Sequence, residues 1–437
     1  MNCHIRDHHS TRKLLAMLAT LQKFGLHHHD LPTMLWNADV LLRVMALDVD
    51  GRNNKRIPII LYLTSAIVLV LYFYTYHLSM YWYIFWRGGG DMLFIILLVS
   101  LSISSSIGVV KLLYMYFNGT KLKKLVLEYL ECDAALAPDS RMFRNVNATL
   151  RSVKKRAIIF WMIIIGNGVV YVGVPLLKPG RHLTEDEQIL LGLEPMYESP
   201  NFELANIALF AGVFLTVYAP ANITGFIIII VGYSEAQMLA LSQELLHLWD
   251  DAHTHYKQIQ SHSTDDPDCS NGISRELEAI KKNKLRMVNI YVKNRLVSIM
   301  KSHATNISLI NQVESIFKSA IAVEFALLSC GLIAELLGGL ENTYIEVPFA
   351  LVQVSMDCIT GQRLMDASKA FEDAVYACKW EHFDVRNRKL VMLMLQNAQK
   401  TLRLSAGGLA SLSYTSLMSV IKSIYSAYTA LRSTMNK

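Results

Sequence analysis

At 437 residues the chain has the length of two or three soluble domains. Its 52% hydrophobic and 18% charged residues argue against that, since an ordinary soluble domain is roughly 25% charged. The net charge of +6 is modest and its Lys and Arg are not gathered into one patch, which disfavours nucleic-acid binding.

The first 30 residues are polar and rich in His, without the basic-then-apolar order of a cleaved signal. The first apolar run is therefore expected to act as its own insertion signal. His27, His28, His29 and Asp30 form the one catalytic-looking cluster. A metal site needs a defined partner elsewhere, so the cluster reads as a polar turn before Pro32. Leu35, Ala38, Leu41, Leu42, Met45 and Ala46 recur at helical spacing and predict an amphipathic helix over 35–47, lying at the inner membrane surface.

Crossing a bilayer core takes about 20 apolar residues in a helix. Residues 57–78, 92–117, 157–177 and 205–231 meet that need almost without charge. Three later runs, 316–340, 347–364 and 409–431, carry Lys318, Glu324, Glu335, Asp357 and Lys422. Charges in such segments are expected to face the bundle interior or an aqueous path. Between the fourth and fifth runs, Leu285, Val288, Val292, Leu296, Ile299 and His303 predict a helix with one buried stripe leading into the fifth run. Residues 253–274, with Asp265, Asp266, Pro267 and Gly272, read as a flexible loop. There is no internal repeat.

Loop charge sets the expected orientation. The segments before the first run, between the second and third, and after the fourth are basic. The loop between the third and fourth instead sets Lys178 and Arg181 against Glu185, Asp186, Glu187, Glu194, Glu198 and Glu203. The pattern predicts a cytosolic N-terminus, seven crossings and an extracellular C-terminus, the reverse of a G-protein-coupled receptor. Cys3, Cys132, Cys269, Cys330, Cys358 and Cys378 all fall in predicted cytosolic or membrane segments, as do the glycosylation-type triplets at Asn118, Asn147, Asn222 and Asn306.

Rival classes lack their marks. The sequence has no Gly-rich phosphate loop and no Gly-x-Ser-x-Gly elbow, and it reads as a non-enzyme without a cofactor. The Asp/Glu-Arg-Tyr triplet of G-protein-coupled receptors is missing after the third run. Pro220, a candidate kink in the fourth run, has no counterpart in a second half, as a repeat-built transporter would show.

The last quarter carries Gly361-Gln362-Arg363-Leu364, Ser368, Val375-Tyr376-Ala377, Trp380, Arg386 to Leu390, and Leu393-Met394-Leu395-Gln396. It goes on through Leu404-Ser405-Ala406-Gly407-Gly408 and Met418-Ser419-Val420-Ile421-Lys422-Ser423-Ile424-Tyr425-Ser426. In order and spacing this tail resembles the insect odorant receptor family, with Tyr376-Ala377 departing from the expected Ala-first order. The Thr-Tyr…Gln-Phe ending of gustatory receptors is absent, and the co-receptor of the family is generally longer.

The resemblance implies an all-α, seven-helix tuning subunit that assembles with the odorant receptor co-receptor, as a tetramer, into a cation channel. It implies residence among lipid in the plasma membrane of a sensory-neuron dendrite and a small volatile odorant as ligand, with no nucleic-acid partner. Three parts are expected: a cytosolic segment over 1–56, six spans with the odorant pocket over 57–364, and an anchor helix with the pore-lining seventh span over 365–437. The family's pocket, in the outer half of spans two, three, four and six, projects here onto Phe94, Leu97, Asn167, Tyr171, Phe210, Phe214, Phe349 and Gln353. For the pore, the last span offers Ser423, Ser426, Ala427, Ala430, Ser433 and Thr434 along one side.

Overall fold

In a computed structural model the chain is described at residues 21–52, 56–87, 92–184, 188–262, 273–339, 341 and 343–435. Inside hydrocarbon each backbone N–H and C=O must be bonded within its own segment, so long apolar runs become helices. The order is α1 (Leu31–Arg43), α2 (Ile59–Phe73), α3 (Met92–Phe117), α4 (Gly119–Ala134), α5 (Arg141–Leu176) and α6 (Asn201–Leu246). There follow α7 (Leu248–His262), α8 (Ile273–Leu337), α9 (Glu346–Ala377), α10 (Val385–Ala398), the hairpin β1 (Ser405–Ala406) and β2 (Ala410–Ser411), and α11 (Tyr414–Met435). The hairpin is antiparallel, with Ser405 opposite Ser411 and Ala406 opposite Ala410.

Among the described residues five helical stretches are long and apolar enough to cross a membrane: 59–86, 92–117, 141–176, 201–246 and 281–337. The other two expected spans, in α9 and α11, are 32 and 22 residues long. Both have the length to cross, but polar and charged groups such as Asp357 and Lys422 interrupt them. Ile59, Ile60, Leu63, Val70, Val169 and Val170 stand exposed on α2 and α5, as suits helices whose outer faces meet lipid.

The centre of the bundle is α6. From Ala219 to Met238 every residue is buried except Gly225, because α5, α3, α9 and α2 pack around it. At about 1.5 Å per residue its 46 residues span about 69 Å and the 65 residues of α8 about 98 Å. Both therefore run well past a hydrocarbon core of about 30 Å. Beyond the core the helices form a polar-laced cluster. Arg141 bridges Glu244 at 2.9 Å and Asp251 at 2.6 Å, Asn306 donates to the Ser234 carbonyl at 3.1 Å, and His303 lies against the Phe371 ring at 4.3 Å.

Several sequence expectations shift in detail. The His27–Asp30 turn is a helix cap: the Asp30 carboxylate accepts the Thr33 N–H at 3.0 Å, opening α1 four residues earlier than its spacing predicts. The buried face of α1 packs on α6. The stripe Val288, Val292, Leu296, Ile299 and His303 is buried and continuous with the fifth span in α8, whereas Leu285 is exposed. Residues 253–262 are not a loop but the end of α7; helix-forming residues follow the Trp249 anchor, whose ring stacks on His382 at 5.4 Å. The turn signals at Asp265–Gly272, the first 20 residues, and the acidic triplet at 185–187 lie outside the described residues. The expected boundary at 364/365 falls inside the unbroken α9. The last helix begins at Tyr414 rather than Leu409, because the hairpin occupies 405–411 and leaves Leu409 exposed at its turn.

Candidate ligand cavity and its polar surroundings

A narrow cavity opens between α2, α3, α5, α6 and the start of α9. It is lined by Tyr76, Leu101, Ser104, Ser105, Asn167, Gly168, Tyr171, Val213, Thr216, Val217, Ile345, Glu346 and Phe349, and its volume is only about 50 Å³. Tyr76 reaches it from a stretch where α2 loosens into π-helical turns at Tyr74–Ser79 and Tyr83–Arg87. Such wider turns rotate the side chains off the 3.6-residue register. The loop after α5 braces this stretch: Gln188 donates to the Thr75 carbonyl at 2.7 Å, and Tyr74 donates to that of Leu191 at 2.6 Å.

The wall is apolar and aromatic with a few polar atoms, as small-ligand pockets usually are. Asn167 Nδ2 donates to the Ile345 carbonyl at 2.9 Å, tying α5 to the entry of α9. Ser104 Oγ donates to Glu335 Oε1 at 2.6 Å, tying α3 to α8. The Tyr171 hydroxyl and one carboxyl oxygen of Glu346 are buried without a hydrogen-bond partner. Buried polar groups are almost always paired, so these two stand out on the cavity wall.

About two helical turns along the same helices, roughly 10 Å at 1.5 Å per residue, sits a second polar site. Lys111 of α3 is 2.6 Å from Glu324 of α8 and 3.5 Å from Asp357 of α9, and it donates to Thr224 of α6 at 2.7 Å. All four side chains are buried. Glu324 and Asp357, two of the charges that weakened the fifth and sixth runs by hydropathy, thus meet Lys111 instead of lipid.

The tail motif is explained by close packing. At Gly361 a β-carbon would stand 2.3 Å from the Leu412 carbonyl oxygen, so only glycine lets α9 touch the segment just after β2. Gly407 and Gly408 turn the hairpin at φ of 65° and 78°, a region that L residues with side chains avoid. The hairpin is pinned by Gly407 N–H to the Lys318 carbonyl at 2.8 Å, Ser405 N–H to Glu314 at 2.9 Å, and Leu402 N–H to Ser368 Oγ at 3.1 Å. The tail residues of the motif are thus the joint by which α11 hangs on α8 and α9.

A profile of the family described as 7tm odorant receptor matches residues 91–425, more than three quarters of the chain. The chain belongs to this odorant receptor family. The receptor is 35% identical over 83 residues to odorant receptor 85d of Drosophila melanogaster, and 25% identical over 121 residues to odorant receptor 22c of the same fly. Those alignments span only 20% and 30% of the two relatives' lengths. The fold is similar along nearly the whole chain to that of the insect olfactory receptor OR5 from Machilis hrabei, with a TM-score of 0.71 at 13% identity, covering 91% of this chain and 97% of that one. The same protein in complex with eugenol gives 0.69 at 12% identity, over 92% and 98%. The receptor is thus an insect-type odorant receptor and a helical membrane protein, of a receptor class rather than an enzyme class.

Of the eight positions expected to hold ligand, Asn167, Tyr171 and Phe349 line the receptor's cavity. The other five do not. Phe94 packs edge-on against Tyr83 at 5.4 Å, and Leu97 lies over Gly338. Phe210 and Phe214 point outward, 55% and 37% exposed, Phe214 stacking on Tyr218. Gln353 sits one turn past Phe349, fully buried, with neither end of its amide bonded. Sequence reading missed Tyr76, Ser104, Thr216 and Glu346. An i, i+4 pair of tyrosines at 72 and 76 was a visible signal, but the π-helical turns hid which face it served. In α11, Ser423, Ser426, Ala430, Ser433 and Thr434 are exposed and Ala427 half-buried, with Lys422 exposed beside them.

Proposed function

We propose that the receptor holds a small volatile molecule in this cavity and, as a tuning subunit assembled with the odorant receptor co-receptor, gates a non-selective cation channel at the plasma membrane of sensory-neuron dendrites. The observation that carries the reading is the cavity itself: an aromatic, largely apolar void among the spans where the family resemblance puts the odorant. The related receptor of similar fold has been solved with eugenol, a small aromatic volatile. Space in the cavity is tight, so an odorant enters by moving side chains such as Tyr171 and Phe349. A ligand shifts a channel between states only by binding one state better than the other. Asn167 and Ile345 join two cavity helices, so filling the cavity alters how the entry of α9 sits on α5.

The pore falls to α11. Its Ser423, Ser426, Ala430, Ser433 and Thr434 are open to solvent or to a neighbouring subunit, which suits a wall shared around an axis, with opening by outward movement of its outer end. Small residues also serve ordinary helix contacts in membranes, and cysteine substitution separates the two roles.

The deciding experiment is whole-cell current in cells expressing the receptor with and without an insect co-receptor, under a panel of volatiles. A current that needs both chains, persists under G-protein blockade and is reduced by Tyr171→Ala is the expected result. A response that proceeds without the co-receptor and vanishes under G-protein blockade would falsify the channel reading.

A further inference from the structure

The polar atoms facing the cavity are unequal in kind. Ser105 Oγ donates to the Ser102 carbonyl at 3.0 Å and Thr216 Oγ1 to that of Val213 at 2.9 Å, each within its own helix. The Ser104 hydroxyl is committed to Glu335 at 2.6 Å and an Asn167 N–H to Ile345 at 2.9 Å. The Glu346 carboxyl lies against the backbone N–H groups of Ile345, just before α9, and of Glu346 itself. A hydroxyl has one hydrogen to give and two lone pairs, so these three hydroxyls keep acceptor capacity after their donors are used, while Asn167 keeps a second N–H. The remaining oxygen of Glu346 is buried and unbonded, and a carboxylate oxygen only accepts. Among the described residues no Lys, Arg or His lines the cavity. Tyrosine hydroxyls give or take, and that of Tyr171 is buried without a partner.

We infer that the cavity selects volatiles that bring a hydrogen-bond donor, an O–H or N–H on a small apolar or aromatic body, and discriminates against ethers, esters and ketones, with Glu346 as the acceptor that decides. The inference rests on the ligand-gated reading above and narrows it to a chemical class. An acceptor-only ligand would leave the Glu346 oxygen desolvated and unpaired, while a donor satisfies it. A site built to hydrogen-bond a group penalises analogues that lack it far more than a merely apolar pocket does.

The test uses matched volatiles on one body: a benzylic alcohol, the corresponding primary amine, the methyl ether of the alcohol and its acetate ester. Each is applied to cells expressing the full receptor with the co-receptor. The alcohol or the amine is expected to act at concentrations at least about tenfold below the ether and ester, the scale of one charge-assisted hydrogen bond. Whichever of the two is stronger tells whether the donor arrives neutral or charged, and either result supports the inference. Glu346→Gln, which replaces an acceptor with an amide that also donates, is expected to erase the preference, with ether and ester gaining. Tyr171→Phe removes a hydroxyl donor that has no partner within the receptor, so alcohol or amine responses persist while ether and ester responses weaken. Should Glu346→Gln fail to reach the surface, Tyr171→Phe decides, and loss of the alcohol response with the ether response intact overturns the inference. Ether and ester matching the alcohol in the unmodified receptor also overturns it, while leaving the channel reading in place. Silence to every volatile, with the receptor shown at the cell surface, overturns both.

Discussion

Lys111 brings an ammonium into the middle of a helix bundle, where a lone charge is costly. It is tolerated because Glu324 and Asp357 approach to 2.6 and 3.5 Å and Thr224 accepts a hydrogen bond at 2.7 Å. Removing one member strands the others. Lys111→Met is expected to destabilise the receptor by about 3–5 kcal/mol, the usual scale for breaking a buried pair, and to abolish surface delivery. Replacing Lys111, Glu324 and Asp357 together by Met, Gln and Asn is expected to recover much of it, since a neutral cluster leaves no orphan charge. Thermal melting of the detergent-solubilised protein reads both; a Lys111→Met protein melting with the wild type would sink this account. Glu324 and Asp357 stand out in the sequence as charges in apolar runs, but nothing there shows that they meet Lys111. Asn167, Tyr171 and Phe349 were legible as wall residues once helix spacing was combined with the family resemblance. Phe210 and Phe214 obeyed the same spacing and turned outward, because aromatics serve lipid-facing and cavity-facing surfaces equally well.

At the level of elements, the tail motif works as a mechanical joint. Gly361 lets α9 press on Leu412, and the Gly407-Gly408 turn docks the hairpin on α8. Gly361→Ala places a methyl group 2.3 Å from a backbone oxygen that has no flexible end to give way. Overpacking of this kind costs about 1–3 kcal/mol or more, and here it falls on the support of α11. Cells expressing Gly361→Ala with the co-receptor should show a sharply reduced odorant current, with Gly119→Ala, which meets open space, unchanged. Equal currents from the two variants would remove the joint from the mechanism. The sequence placed this motif correctly in the tail but drew the last span through it, since 409–431 is apolar enough to read as one helix. The two glycines at positive φ and the paired strands stop that helix from starting before Tyr414.

For the molecule as a whole, the charge asymmetry of the loops argues an orientation: N-terminus in the cytosol and C-terminus outside. An epitope at the C-terminus should be labelled on intact cells and one at the N-terminus only after permeabilisation, while the reverse pattern would turn the molecule over. The orientation bears on function because the cavity lies at the end of the bundle braced by the loop after α5, the acidic loop expected outside. A volatile arriving from outside would then reach the cavity without crossing the polar cluster around Lys111.

The sequence by itself determined that the chain is a bundle of membrane helices, and where most of them run. The physical reason is local: in hydrocarbon a segment must satisfy its own backbone, so length and apolarity along the chain suffice to find it. It also supplied the family, through the order of short motifs in the tail. Only the tertiary structure decided which side of each helix faces lipid, cavity or neighbour. That choice is the rotation of a helix about its own axis, and it is set by partners distant in sequence. Lys111 and Asp357 stand 246 residues apart, and Ser104 and Glu335 stand 231 apart. Tyr76 enters the cavity through π-helical turns braced by residues more than a hundred positions away. The cavity's chemistry, with most hydroxyl donors spent and a Glu346 oxygen left open, is likewise a property of pairs, which no single position records.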